Sequence, residues 1–264
     1  MKNDPLMILA ETTSYVIPFR YVSGRITEYD IASANISILH MYGEIDDTYY
    51  EYLKQLPKHD REVEIGKWIA EDKSIYDTIQ KGIVAAKYKL FTENGIAPES
   101  VVRIANDAVY INQDYDLKKT TFEEITFKKK LVSSSMMNLN NLLFFYRYEK
   151  EEIYLEVIGL GKEAKMLHAD YMLSFIGTIM HLVERVSVTE ALQYLSSFYE
   201  DYINLRLERG FYRELNSISS FRLKGTGFLL YEIKNFYEIE IGYNLYLIRE
   251  LWSILLELYQ MGRR

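Results

Sequence analysis

The chain has 264 residues and a formal net charge of −7, with 48% hydrophobic and 26% charged residues. That composition excludes a disordered chain, and the acidic balance excludes a protein that coats nucleic acid through a uniformly basic surface, though not one that grips it in a single cleft. Cysteine is absent, which excludes disulfides and thiolate metal sites; a reducing cytoplasm is the expected compartment.

The length allows one large domain or two modest ones. The opening segment MKNDPLMILAETTSYVIPF carries an apolar run interrupted by Glu11 and Thr12, too short and polar for a signal peptide or an anchor. No stretch reaches the roughly 18 apolar residues of a membrane span, so no membrane association is expected. Arg25 to Tyr29 reads as a strand. Asp30 to Met41 reads as a short helix closed by Gly43, with Asp30 placed as its N-cap. Ile65, Trp68, Ile69, Ile75, Tyr76, Ile79, Ile83, Tyr88 and Phe91 then recur at helical spacing, with Gly82 as a candidate break. Asn94-Gly95 and Pro98 end that run. In VVRIA-ND-AVYIN two β-prone runs flank Asn106-Asp107, a hairpin signal that puts Asp107 at a tight turn.

A second hairpin follows, LLFFYRY, EKEE and IYLEVIGLG. The rest is helical: Asp170 to Val186, then a helix opened by the capping box Ser187-x-x-Glu190 and running to Gly210, then a last helix through Leu247, Leu251, Trp252, Leu255, Leu256 and Tyr259. The expected fold class is α+β, divided into residues 1–125, mixed sheet and helix, and 126–264, a hairpin plus helices.

Two aspartates at strand ends, Asp30 and Asp107, are the residues best suited to chemistry. Phosphoryl transfer from a nucleoside triphosphate needs divalent cations on the attacking and leaving oxygens, and hard cations need carboxylates brought together. Two carboxylates about 4 Å apart repel by roughly 4 kcal/mol at an effective dielectric of 20, so a close pair implies a cation such as Mg²⁺ or Mn²⁺. The bland alternatives are that Asp30 caps a helix and Asp107 populates a turn.

The segment Asp30-Ile-Ala-Ser33-Ala-Asn35-Ile-Ser37-Ile-Leu39 resembles the first palm motif of family B DNA polymerases, an Asp, two residues, Ser-Leu-Tyr-Pro, then Ser and two aliphatics. Asp30, Ser33 and Ser37-Ile-Leu coincide, while Ala34, Asn35 and Ile36 replace Leu-Tyr-Pro. Ile104 to Ile111 is similar to the family's Asp-Thr-Asp-Ser hairpin, with Asp107 on the second aspartate and Ala105 on the first. The same short palm is shared with reverse transcriptases, whose Tyr-Ala-Asp-Asp is similar to Arg103–Asp107 with one carboxylate lost.

The resemblance implies a palm-like antiparallel sheet with reduced fingers helices, followed by a mostly helical thumb-like region. It implies metal binding by Asp30 and Asp107, and nucleotide contacts from Ser33, Asn35 and the lysines Lys67 and Lys73. The family's Lys-x-x-x-Asn-Ser-x-Tyr-Gly motif is missing. Asn35 stands where the family's tyrosine blocks a sugar 2′-hydroxyl, which implies weak exclusion of ribonucleotides. Lys162 and Lys165 fall where a basic segment tracks the primer duplex.

Arg206, Arg209 and Arg213, interleaved with aromatics, form a further candidate nucleic-acid contact. Lys128-Lys129-Lys130 reads as a solvated strand edge or a phosphate contact. Gly159 to Ala164 is not a phosphate-binding P-loop, the four histidines lack ligand spacing, and no Gly-x-Ser-x-Gly elbow occurs. The expectation is a template-directed nucleotidyltransferase, priming or DNA polymerase-like, acting on nucleic acid and completed by a partner protein. The alternative is an inactive palm-like subunit that scaffolds or binds nucleic acid in a replication or transcription complex.

Overall fold

The computed structural model describes residues 4–139, 142–159, 172–204, 206–207 and 236–262. The fold is α+β, an antiparallel sheet with helices and a helical C-terminal part. It divides into two compact units, Met1–Pro18 with Gly24–Val132, and Phe19–Ser23 with Ser133–Arg264.

In the first unit, α1 (Pro5–Glu11) leads to β1 (Ser14–Val16) and β2 (Tyr21–Ile31, here from Gly24). Four helices follow: α2 (Ala34–Met41), α3 (Asp47–Gln55), α4 (Lys58–Glu71) and α5 (Lys73–Glu93). Then come β3 (Val101–Ala105), β4 (Ala108–Asn112), β5 (Thr121–Phe122) and β6 (Ile125–Leu139, here to Val132). The strand order is β1-β3-β4-β2-β6, with β5 on β6.

Strand alternation sorts the two faces. Tyr29 lies across from Val109, and Val109 from Ile104; all three join the core beneath the helices. The next row, Asp30, Ala108 and Ala105, belongs to the opposite face. The Tyr29 hydroxyl accepts the Leu117 N–H at 3.0 Å inside the core.

Several local expectations are corrected. Asp30 is not an N-cap: β2 continues to Ile31, and Ser33 starts α2. The ladder bond to β4 wins over the capping preference. The long helical run breaks at Asp72, not Gly82; the Asp72 carboxylate caps α5 by accepting the Ser74 N–H at 2.8 Å. Gly82 instead lies inside α5 against α2, where an added Cβ would stand 2.3 Å from Ile38 Cγ2. Gly43 does close α2: at φ 73° it lets Glu44 N–H reach the Leu39 carbonyl and its own N–H reach that of His40, a Schellman end.

Helix α5 buries Ile79, Ile83, Ala86, Leu90 and Phe91 on one stripe, and Lys87 with them. Lys87 is 1% exposed, and its ammonium donates to the Thr12 carbonyl at 2.8 Å. Burial pulls its pKa down to about 8, with the Asp107 charge opposing. Because the folded value lies below the free one, stability should rise as pH climbs from about 8 towards 10.5. Lys87→Met should remove that rise, seen as a smaller wild-type-minus-variant difference at neutral pH than at pH ~10 in urea unfolding. Parallel curves for the two proteins would overturn it.

In the second unit, β6 from Ser133 pairs with β7 (Leu142–Glu149), and β7 with β8 (Glu152–Ile158). The two-residue turn Lys150–Glu151 has φ 52° and 65°, the conformation a twisted hairpin demands. A π-helical turn (Met172–Gly177) precedes α6 (Thr178–Arg185), α7 (Val188–Ile203) and α8 (Phe236–Met261). Ser187 caps α7 by accepting the Glu190 N–H at 3.1 Å, as its capping box predicts. The helix ends at Ile203 with Asn204 as C-cap, short of Gly210. Arg20 holds α8 through Ser253 at 2.8 Å and Glu250 at 2.8 Å. Phe144, Phe175, Phe198 and Leu251 share the core. Among the described residues no helix is long and apolar enough to cross a membrane.

Candidate active site

The site is built where three strands of the first unit end together. Asp30, the penultimate residue of β2, pairs with Ala108, the first residue of β4. Ala108 also pairs with Ala105 of β3, so only Asn106 and Asp107 form the turn between them. Asn106 takes φ 53°, a conformation asparagine tolerates, and its N–H donates to the Thr13 carbonyl at 2.7 Å. Asp107 is therefore the immediate chain neighbour of the residue that pairs with Asp30.

After β2 the chain turns at Ser33, whose φ of 51° is left-handed. The Ala32 N–H donates to Thr126 of β6 at 2.8 Å, fixing the turn to the sheet. Ser33 makes no side-chain cap on α2, so the first turn of this helix is uncapped. Ser33, Ala34 and Asn35 of that turn line a cleft of about 410 Å³, with Asp30 and Asp107 on the same wall. Lys58, Arg61, Glu62 and Ile65 of α4, and Lys128 and Lys130 of β6, line it as well. The cleft thus has four basic side chains against three carboxylates, although the chain as a whole is acidic. That local balance suits an anionic ligand.

The carboxylates sense one another. Burial pushes the Asp107 carboxyl up, and the Asp30 charge pushes it further; its own backbone N–H, Lys130 and Lys58 oppose this. Asp30 is ion-paired with Lys130. The Asp30 side chain is 17% exposed and that of Lys130 54%. The Lys130 pKa is raised, chiefly by its hydrogen bond to Asp30, then by the charges of Asp30, Glu28 and Asp107. Glu28 lies two residues before Asp30 on the same face, half-buried and raised by that burial.

The structure brings together Asp30, Asp107, Ser33 and Asn35. It does not bring Lys67 or Lys73 to the cleft lining. Lys67 pairs with Glu64 on its own helix at 3.0 Å, and Lys73 is exposed at the start of α5. Lys162, Lys165, Arg209 and Arg213 lie outside the described residues. Arg206 belongs to the second unit and is held by Asp201 at 2.7 Å. Sequence reading missed Lys58 and Arg61 as cleft residues. Their spacing with Ile65 puts all three on one face of α4, the signal that was present.

Among the described residues no group of three or more His, Cys, Asp or Glu side chains is arranged to hold a metal ion. The donor set is two carboxylates with a lysine ammonium beside them. Two carboxylates are the size of protein donor set that Mg²⁺ sites use where the remaining oxygens come from water and substrate phosphates. The Lys130 ammonium occupies the role of a cation there.

A family model described as Bacteriophage PBS1 gene 130 protein matches residues 15–259, a span that includes every cleft residue. No curated protein matches the chain.

Proposed function

The chain belongs to the Bacteriophage PBS1 gene 130 protein family, and we propose that it is a phage palm-type nucleotidyltransferase that extends or primes a nucleic-acid strand on a template. The observation that carries this reading is that Asp30 and Asp107 line one cleft together with Lys58, Arg61 and Lys128. The order of elements supports it as well: a strand ending in Asp30, helices, then a hairpin bearing Asp107, as in the family B polymerase resemblance.

In this reading Asp30 and Asp107 would hold divalent cations, which would supply neutralisation of charge on the attacking and leaving oxygens. Lys58, Arg61 and Lys128 draw the triphosphate, and the uncapped first turn of α2 offers N–H groups to a phosphate oxygen. Asn35 leaves room at the sugar for a 2′-hydroxyl. Ala105, where the resemblance has a carboxylate, favours the second reading: an inactive palm-like subunit that scaffolds or binds nucleic acid in a replication or transcription assembly, with a partner protein.

Incorporation of ribo- and deoxyribonucleotides on primed and unprimed templates with Mg²⁺ or Mn²⁺ separates the two. The first reading expects metal-dependent incorporation of both sugars. Nucleic-acid binding without incorporation under any of these conditions would replace it with the second.

A further inference from the structure

The run Lys128-Lys129-Lys130 lies on β6, and its three side chains have three different fates. Lys129 turns to Asp116 at 2.9 Å, away from the cleft. Lys128 lines the cleft. Lys130 lines it too, but its ammonium is ion-paired with Asp30 and also feels Glu28 and Asp107. Lys130 is thus the cation in contact with Asp30, with Glu28 and Asp107 near enough to act on it.

The pair is asymmetric. Asp30 is fixed in the β2–β4 ladder and mostly covered, whereas Lys130 is half-exposed on a four-carbon stem. Ion pairs of that exposure hold a lysine only weakly. The lysine is the partner that can leave, and solvent or an anion in the cleft can receive it. Resting on the nucleotidyltransfer reading, we propose that Lys130 is the resident counter-cation of Asp30 and Asp107, and that it yields to a divalent cation when a triphosphate enters the cleft and takes up its ammonium.

Two consequences follow from the exchange. A bare divalent cation must compete with a tethered ammonium, so it binds weakly. A triphosphate that takes the ammonium lowers this competition, so metal and nucleotide bind with positive coupling, and each improves the other's affinity by the same factor. The arrangement also shields the like-charged pair when the cleft holds no ligand.

The test uses the full chain and Mn²⁺, whose free form is counted by electron paramagnetic resonance. Lys130→Met should tighten bare Mn²⁺ binding by roughly two- to fivefold, the range set by a half-exposed ion pair. It should weaken binding of a non-hydrolysable nucleoside triphosphate measured without metal. Lys129→Met, from the same run but turned to Asp116 outside the cleft, should leave bare Mn²⁺ binding unchanged. A cooperative thermal melt of the metal-free Lys130→Met protein checks that it is folded.

Bare Mn²⁺ binding that depends on Asp107 but is unchanged or weaker in Lys130→Met would overturn the counter-cation role and leave the metal site standing. Mn²⁺ binding that is absent in every protein, or insensitive to Asp107→Asn, would overturn the nucleotidyltransfer reading and this inference with it.

Discussion

Asp107→Asn is expected to lower metal-dependent nucleotide incorporation by about a thousandfold or more, since a lost metal carboxylate removes several kcal/mol of transition-state charge stabilisation. The same substitution should make the metal-free protein more stable at neutral pH. Burial and the Asp30 charge raise the folded pKa of Asp107 above its ordinary value. A carboxyl raised in this way is penalised when ionised. The penalty is absent in acid, where the group is protonated folded and unfolded, and grows as pH rises through the ordinary carboxyl range to the folded pKa. It is fully present above the folded pKa, and asparagine removes it.

Urea unfolding at neutral and acid pH measures one half of this expectation, and steady-state incorporation the other. The combination separates function from architecture. A residue kept only to shape the Asn106-Asp107 turn would lose stability on substitution, and a loss of both activity and stability would return Asp107 to that role.

The second large effect lies behind the cleft. Gly82→Ala should destabilise the fold by up to about 2 kcal/mol: overpacking a filled site costs roughly 1–3, offset by about 1 from helix propensity. Ile38 is fully buried, so its Cγ2 cannot move aside cheaply from a Cβ placed at 2.3 Å. Ile38→Ala alone should cost about 2–5 kcal/mol through the cavity it leaves. The double variant should cost less than the sum, because each change supplies what the other lacks, and a coupling above about 0.5 kcal/mol in a denaturation cycle would register it. Additive behaviour would mean that α5 and α2 are held apart by other contacts. Helix α2 follows directly on Asp30 and Ser33, so incorporation should fall in Gly82→Ala as the cleft wall shifts.

The local signals for this architecture were legible where backbone chemistry is local. Asn106-Asp107 between two β-prone runs marked the hairpin, Ser187-x-x-Glu190 marked the start of α7, and Asn94-Gly95 the end of α5. Asp30 was picked out, yet its position was misread, because whether β2 stops before it or runs past it depends on the partner strand β4, distant in sequence. Gly82 was read as a break on propensity, whereas the close approach of Ile38 gives a glycine its use inside a helix. Lys58 and Arg61 share a helix face with Ile65, and Lys130 belongs to a run legible as a strand edge or a phosphate contact, but their meeting at one cleft was not legible for a related reason. Which face of α4 closes the cleft, and which of three consecutive lysines turns to Asp30, is decided by tertiary packing rather than by neighbours in the chain.

The pairing of Asp30 with Ala108 also has a kinetic consequence. The β3–β4 hairpin closes a loop of two residues, while the β2–β4 ladder must bridge all of α2 to α5. Loop-closure entropy makes the short connection quick to form and the long one slow. The mutual repulsion of Asp30 and Asp107 is therefore met only in a late step, after the helices and the hairpin have gathered most of their apolar contacts. A chain folding in this order does not have to nucleate on two negative charges.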